Sequence, residues 1–169
     1  GTAHAEGIVH RDVKPDNILL PRKRKGKGLD FRNAKVADLG LARNTTSSGS
    51  LTMADSGMGT PGFMAPEQAM DAQSAGPEAD VFGLGATLYA LLAGEPPFAG
   101  ETPMKMVFNT VHNPHTPIEE YRTDLQPITR GLLQRCLSKH AEERFTDCND
   151  MLDTLRECLD VLKAPAAQQ

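Results

Sequence analysis

Apolar residues at helical spacing mark the second half of the chain. The clearest segment is 77–93, where Pro77 suits the first turn of a helix and Gly94 its C-terminal cap. The apolar side chains of this segment cover most of the circumference of a helix, which is typical of a buried helix. They are Val81, Phe82, Leu84, Leu88, Leu91 and Leu92.

Three further helices are predicted after this one. Thr102 and Pro103 suit the cap and first turn of a helix that ends near His112, and the proline-containing residues 113–124 are predicted to form a loop. A cap at Thr146 would begin the last helix. The apolar stripes of the last two helices are Leu125, Ile128, Leu132, Leu133 and Cys136, and then Met151, Leu152, Leu155, Leu159 and Leu162.

The first third of the chain has shorter patterns. Residues 1–7 are predicted to end a helix, with Gly7 as a left-handed cap. Short strands are predicted at Ile8–Val9, at residues 18–20 and at residues 34–37. The fold class that follows is mainly α with short β-hairpins. Residues 164–169 are predicted to be a disordered tail.

Length and composition fit one domain with its own core. The chain has 169 residues, of which 39% are hydrophobic. Neither a membrane-length apolar run nor a signal peptide is visible, and the cysteines (Cys136, Cys148 and Cys158) are odd in number and lack metal-site spacing. These features indicate a cytoplasmic protein with reduced thiols.

Charge is distributed unevenly along the chain. The formal net charge is −4, and a basic run contributes Arg22, Lys23, Arg24, Lys25 and Lys27. A mostly acidic body argues against nucleic acid as a general partner. The basic run is either a solvated loop between two strands or a patch for docking or nucleic acid.

The strongest chemical signal is the octet His10-Arg11-Asp12-Val13-Lys14-Pro15-Asp16-Asn17. It places an acidic group, a cation and an amide on one short loop, and phosphoryl transfer needs such groups at fixed separation. The octet matches the catalytic loop of the eukaryotic-type (Hanks-type) protein kinases. By that resemblance Asp12 is the catalytic base, Lys14 steadies the transferred phosphate and Asn17 binds magnesium.

Other blocks of the same family follow in order. Asp38-Leu39-Gly40 resembles the D-F-G motif, Gly59-Thr60-Pro61-Gly62-Phe63 resembles the substrate-docking loop of Ser/Thr kinases, and Ala65-Pro66-Glu67 matches A-P-E. The resemblance implies a C-terminal kinase lobe over residues 1–163. Its parts are the catalytic loop at 10–17, the activation segment at 38–67 and a helical subdomain at 77–163. The style of residues 65–99 resembles bacterial members.

The resemblance also assigns roles around the nucleotide. Asp38 would bind magnesium and Gly40 would permit the turn into the activation segment. Thr60 would hydrogen-bond Asp12 and Lys14, and Leu19 would lie under the adenine. The alternatives are a plain turn aspartate at Asp12, a simple loop threonine at Thr60 and a generic core leucine at Leu19.

Further roles are structural or regulatory by the same resemblance. His10 and Leu39 would belong to a hydrophobic column, and Asp80 would accept backbone amides of the catalytic loop. Arg144 would pair with Glu67. His4, His112, His115 and His140 are interpreted as surface histidines.

Arg11 carries the regulatory implication of the family. In the related kinases, this arginine pairs with a phosphate on the activation segment. The alternative is a flexible polar loop that is never modified. The candidate phosphorylation sites are Thr45, Thr46, Ser47, Ser48, Ser50, Thr52 and Ser56.

Several family motifs have no counterpart in these residues, namely the glycine-rich loop, the strand lysine and the helix glutamate. We therefore expect a lobe without its N-terminal partner lobe, with little activity alone and an apolar face that favours self-association. The parent would use ATP with Mg²⁺ or Mn²⁺ and act on Ser/Thr protein substrates, and a membrane anchor elsewhere in it stays open. The alternatives are a non-catalytic scaffold and a small-molecule phosphotransferase.

Overall fold

A computed structural model describes residues 2–24, 26–38, 59–71 and 74–163. Within these ranges the chain is mainly helical, which agrees with the predicted fold class, and no described helix has the length and hydropathy needed to cross a membrane. The helices are α1 (Thr2–Ala5), α2 (Pro66–Met70), α3 (Pro77–Ala93), α4 (Pro103–His112), α5 (Pro127–Cys136) and α6 (Cys148–Lys163). The strands are β1 (Ile18–Leu19) and β2 (Lys35–Val36).

The predicted ends of α3 and α4 are confirmed. Gly94 follows α3 in the left-handed region at φ 90°, where a glycine meets no Cβ penalty. Thr102 caps α4, since its Oγ1 accepts the N–H of Lys105 at 3.2 Å. Both helices have proline in their first turn, where its missing N–H leaves no bond unmade.

Helix α3 is the centre of the core. Phe82 and Tyr89 pack on one side of it and Val81 on the other, all with 0% exposure. Helix α5 approaches it so closely that a Cβ on Gly85 would lie 2.4 Å from the Cβ of Cys136. The prediction of burial all round fails only at the C-terminal end, where Leu91 is 70% exposed. The first turns of α3 are therefore more deeply buried than its C-terminal end.

The start of α6 differs from the prediction. The cap is Asp147, whose Oδ1 accepts the N–H groups of Asn149 and Asp150, while Thr146 donates to the Asp150 carboxylate. Because one carboxylate oxygen of Asp147 accepts two helix amides, the cap lies one residue later than predicted. The predicted apolar stripe of α6 is buried over only part of its length. Met151 is buried, whereas Leu159 and Leu162 are 50% and 67% exposed.

The N-terminal segment contains one wrong prediction. Helix α1 and the left-handed Gly7, at φ 72°, are confirmed. Ile8–Val9 form no strand in the described structure. The reason is that the N–H of Ile8 donates back to the carbonyl oxygen of Ala3 at 2.9 Å, and the amides of His10 and Arg11 that follow donate to the side chain of Asp80.

Strands β1 and β2 pair antiparallel, with Ile18 opposite Val36 and Leu19 opposite Lys35. The ribbon continues outward through a bridge between Arg22 and Leu29 and a bond from Asp30 N–H to Pro21 O at 2.7 Å. We call residues 21–35 the basic hairpin. The basic run therefore projects from this two-stranded ribbon.

The cysteines give a test of this core. Burial raises the pKa of Cys136 to about 12 and that of Cys148 to about 11, and Cys158 is only 6% exposed. We expect all three thiols to react with a disulfide reagent at pH 8 far more slowly in the native chain than in denaturant. Rapid labelling of Cys136 before unfolding would contradict the packing of α3 on α5.

Candidate active site

Asp80 joins the catalytic loop to the helical core. It lies in the first turn of α3 and is 3% exposed. Its Oδ2 accepts the N–H of His10 at 2.8 Å, and its Oδ1 accepts the N–H of Arg11 at 2.7 Å. Arg11 has φ 66°, in the left-handed region that costs energy for a non-glycine residue. The two bonds to Asp80 hold the loop in this conformation.

His4 is a third partner of Asp80, and its interpretation as a surface histidine is wrong. Its Nε2 lies 2.8 Å from Oδ2 of Asp80, and its side chain is 5% exposed. Its contact lies 76 positions away in the sequence, so no local pattern indicated it. The end of α1 is thus tied to the same carboxylate as the catalytic loop.

The catalytic loop also packs on α3 through its backbone. Val13 is 6% exposed, and a Cβ on Gly83 would lie 2.9 Å from the carbonyl oxygen of Val13. Only glycine leaves room for this approach without a shift of the loop. The position of the loop is therefore set by the first two turns of α3.

His10 connects the catalytic loop to the strand that precedes Asp38. Its Nδ1 accepts the N–H of Asp12 at 3.3 Å, so in the neutral ring the proton is on Nε2, which donates to the carbonyl oxygen of Ala37 at 2.7 Å. His10 is buried, with 5% exposure. Because Ala37 is next to Asp38, this bond fixes the backbone on both sides of the site.

Asp12 lies at the centre of a cluster of polar groups. Its Oδ1 accepts the N–H of Thr60 at 3.0 Å and the hydroxyl of Thr60 at 2.9 Å. Its Oδ2 lies 3.1 Å from Nζ of Lys14 and accepts Nδ2 of Asn17 at 3.1 Å. Lys14 also donates to the hydroxyl oxygen of Thr60. The structure thus brings together four residues that the sequence analysis named separately.

The electrostatics of this cluster favour an ionised Asp12. Partial burial raises the pKa of the carboxyl, but the hydrogen bonds from Lys14 and Thr60 and the charge of Lys14 outweigh it, so the pKa is lowered. Asp12 is therefore a carboxylate at neutral pH. It can accept a hydrogen bond from a hydroxyl group placed beside it.

Backbone pairing brings Asn17 and Asp38, which are distant in the sequence, close together. Asn17 donates Nδ2 to the carbonyl oxygen of Asp12 at 2.8 Å, which leaves its Oδ1 as a ligand oxygen. The N–H of Ala37 donates to the carbonyl oxygen of Asn17 at 2.7 Å, so Asp38 follows directly beside Asn17. An amide oxygen and a carboxylate are hard ligands that suit Mg²⁺ or Mn²⁺. In the part of the chain that is described, no group of three or more His, Cys, Asp or Glu side chains could hold a metal ion.

Glu67 and Arg144 form a buried, bidentate ion pair. The distances are 2.7 Å from Nη1 to Oε1 and 2.8 Å from Nη2 to Oε2. The side chain of Arg144 is completely buried, and that of Glu67 is 19% exposed. The guanidinium also lies 5.0 Å from the ring centroid of Phe82. The pair joins the Ala-Pro-Glu segment to α3 and to the turn before α6.

Gln68 is a site residue that the sequence analysis missed. It is 2% exposed, and its Nε2 donates to the carbonyl oxygen of Arg11 at 2.5 Å. A Cβ on Gly59 would lie 2.8 Å from the same nitrogen, so a glycine is needed there. The only sequence signal for Gln68 is that a polar residue follows Ala-Pro-Glu. Gln68 thus connects α2 with the backbone of the catalytic loop.

Several predicted residues lie outside the described ranges. They are Leu39, Gly40, Thr45, Thr46, Ser47, Ser48, Ser50, Thr52 and Ser56, together with the tail 164–169. Leu19 is described and is 57% exposed at the edge of a concave surface beside β1.

A carboxylate, an ammonium group and an amide on one loop, held by a helical core, are the features of a phosphoryl-transfer domain. Residues 2–157 match the family model of the protein kinase domain, and the chain belongs to that family. The prediction of a Hanks-type kinase of bacterial style is confirmed.

The curated relatives include serine/threonine-protein kinases named PknB. The chain is 33% identical to PknB of Mycolicibacterium smegmatis over 154 residues, which are 88% of this chain and 23% of the relative. It is 34% identical to PknB of Mycobacterium tuberculosis over 151 residues, which are 88% of this chain and 22% of the relative. The chain thus spans less than a quarter of the length of these relatives.

Proposed function

We propose that this chain supplies the catalytic loop of a protein serine/threonine kinase, which transfers the γ-phosphoryl group of ATP to Ser or Thr hydroxyls of protein substrates. The observation that supports this function is the Asp12 cluster, in which Lys14, Asn17 and Thr60 all contact one carboxylate. Lys14 with Thr60 favours Ser/Thr over Tyr substrates by family resemblance. The bacterial relatives named above are serine/threonine-protein kinases, which agrees with this activity.

The lowered pKa of Asp12 defines its part in the reaction. A carboxylate of low pKa is a weak base toward a free hydroxyl group, so it first orients the substrate hydroxyl by accepting its hydrogen bond. The hydroxyl group becomes more acidic as its oxygen forms a bond to the γ-phosphorus and the bond from that phosphorus to the β,γ-bridging oxygen breaks. The hydroxyl proton then passes to Asp12.

The metal and nucleotide contacts follow from the remaining residues. Asn17 Oδ1 and the Asp38 carboxylate would hold Mg²⁺ or Mn²⁺, which neutralises phosphate charge when bound. Lys14 would contact the γ-phosphate as a point charge, and its present contacts with Asp12 and Thr60 place its ammonium group beside the hydroxyl acceptor. Leu19, exposed on β1, would lie under the adenine.

Arg11 supports a regulatory part of the proposal. Its Nε is buried and has no hydrogen-bond partner among the described residues, which is costly unless an acceptor is supplied. A phosphate on one of the seven candidate residues between Thr45 and Ser56 would supply it. Phosphopeptide mass spectrometry of the active kinase should find at least one of them modified, and finding all seven unmodified would overturn this part.

The main test compares Asp12→Asn with Asp16→Asn in the natural protein that carries these residues. Asp16 is exposed on the same loop and lies outside the Asp12 cluster, so it is a matched control. Phosphotransfer from labelled Mg-ATP to a Ser/Thr protein should fall about a hundredfold or more in Asp12→Asn, because the hydroxyl acceptor is lost. Asp16→Asn should stay near wild type. Phosphotransfer that is absent from all three proteins would favour a non-catalytic binding module, and equal activity of all three would show that Asp12 is not the acceptor of the hydroxyl proton.

A further inference from the structure

The basic hairpin carries six described cations and a single carboxylate. All six side chains are exposed, and the carboxylate belongs to Asp30. The cations are Arg22, Lys23, Arg24, Lys27, Arg32 and Lys35. Backbone bonds join the described residues of the hairpin, including Lys23 N–H to Gly28 O at 3.1 Å, and Gly26 and Gly28 have positive φ values. The six described cations therefore lie on a hydrogen-bonded ribbon.

No cation of the basic hairpin forms an ion pair within the described residues. Asp30 accepts a hydrogen bond from Asn33 at 2.7 Å instead. Residues 22–35 contain seven of the 18 basic and one of the 22 acidic residues, so the other 155 residues carry 11 basic and 21 acidic residues and a formal net charge of −10. The excess of positive over negative charge is thus on the hairpin, and the rest of the chain has the opposite excess.

A concave surface of about 660 Å³ lies between the basic hairpin and the strands. Leu20 and Pro21 supply its apolar floor, and Leu19, the residue proposed above to lie under the adenine, is at its edge. The cations on its lining are Arg22, Arg24 and Lys35. They outnumber the single carboxylate there, that of Asp30, which accepts the hydrogen bond from Asn33. Such a pocket combines a floor for an apolar side chain with positive charge for carboxylates around it.

We propose that the basic hairpin is a docking surface for a short acidic segment of a partner protein, in which carboxylates flank an apolar side chain. Arginine recognises carboxylates in a bidentate way, and the apolar floor buries the neighbouring side chain. A long nucleic acid would extend past the cations onto a body of net charge −10, which repels it. A flat bilayer cannot enter the concave surface. This inference does not rest on the kinase activity.

The experiment measures fluorescence anisotropy of a labelled peptide built of Glu, Asp and Leu, titrated with the 169-residue chain at physiological salt. The reference peptide has Gln and Asn in place of the acids. We expect saturable binding of the acidic peptide only, and a loss of about tenfold or more in affinity for the double variant Arg22→Glu/Arg24→Glu, because two attractions become repulsions. Both residues are exposed, so thermal unfolding should stay near wild type.

The matched control is Arg130→Glu/Arg156→Glu, which makes the same charge change at exposed sites on α5 and α6. Its affinity for the acidic peptide should stay within about twofold of wild type at this salt concentration. An equal loss in both double variants, or equal binding of the Gln/Asn peptide, would overturn the proposal. Tighter binding of a single-stranded oligonucleotide or of anionic lipid vesicles would replace it by that class of partner. Asp12→Asn should leave peptide binding unchanged, so failure of the kinase proposal gives a different result.

Discussion

Arg144→Met should lower the free energy of unfolding by about 3–5 kcal/mol, the cost typical of breaking a buried ion pair. The substitution removes both bonds to Glu67 and three bonds to carbonyl oxygens. These carbonyls belong to Ser138 at 2.9 Å, Glu78 at 3.1 Å and Lys139 at 3.2 Å. Methionine fills much of the volume but offers none of these acceptors a hydrogen-bond donor. Urea unfolding followed by circular dichroism measures the loss.

The control for this experiment is Arg156→Met. Arg156 forms an exposed pair with Asp153, three residues away on α6, and such pairs contribute little. Its loss should stay below about 0.5 kcal/mol. Glu67→Gln, alone and combined with Arg144→Met, completes a double-mutant cycle in which the losses should not add, because the two side chains touch. A loss below 1 kcal/mol in Arg144→Met would show that the pair does not hold the Ala-Pro-Glu segment.

Asp80→Asn should destabilise the chain by about 3 kcal/mol, since hydrogen bonds to a charged acceptor are the stronger ones. An asparagine keeps one acceptor oxygen but directs an NH₂ group at one of the backbone amides of His10 and Arg11. The strained φ of Arg11 then loses half of its support. Hydrogen exchange read by mass spectrometry should show faster exchange across residues 8–14. The proposed phosphotransfer should fall with it.

Asp153→Asn is the matched control, because Asp153 is an exposed aspartate whose only described bond is to Arg156. We expect no change in exchange at residues 8–14 and a stability change within about 0.5 kcal/mol. Unchanged exchange in Asp80→Asn would mean that the loop is held by other contacts, such as that of Val13 with Gly83.

The elements best predicted from sequence were those with local signals. Helix α3 was predicted with its observed bounds, because Pro77 and Gly94 have direct conformational consequences at helix ends. The cap of α6 was placed one residue early, because Thr146 and Asp147 are both good caps and only the backbone decides between them. The octet at residues 10–17 indicated the chemistry for the same local reason.

Contacts between distant segments could not be predicted in this way. Residues Arg11 and Gln68 are 57 positions apart, and nothing in their spacing indicates a bond. The same holds for His4 with Asp80. The exposure of Leu91 and Leu162 also escaped periodicity, because an apolar stripe does not say which neighbour covers it. Family resemblance supplied the pair of Arg144 with Glu67, which spacing alone does not contain.

The short segment of α3 from Glu78 to Gly85 has a consequence for the phenotypes of variants. Its side chains, its carbonyls and its missing Cβ atoms hold the catalytic loop, Arg144 and helix α5 at once. A substitution there changes the stability of the fold and the position of the catalytic loop together. Mild substitutions in these residues should therefore make the proposed kinase activity temperature-sensitive, present in cool conditions and lost on warming, whereas mild substitutions at Asp12 should remove that activity at every temperature.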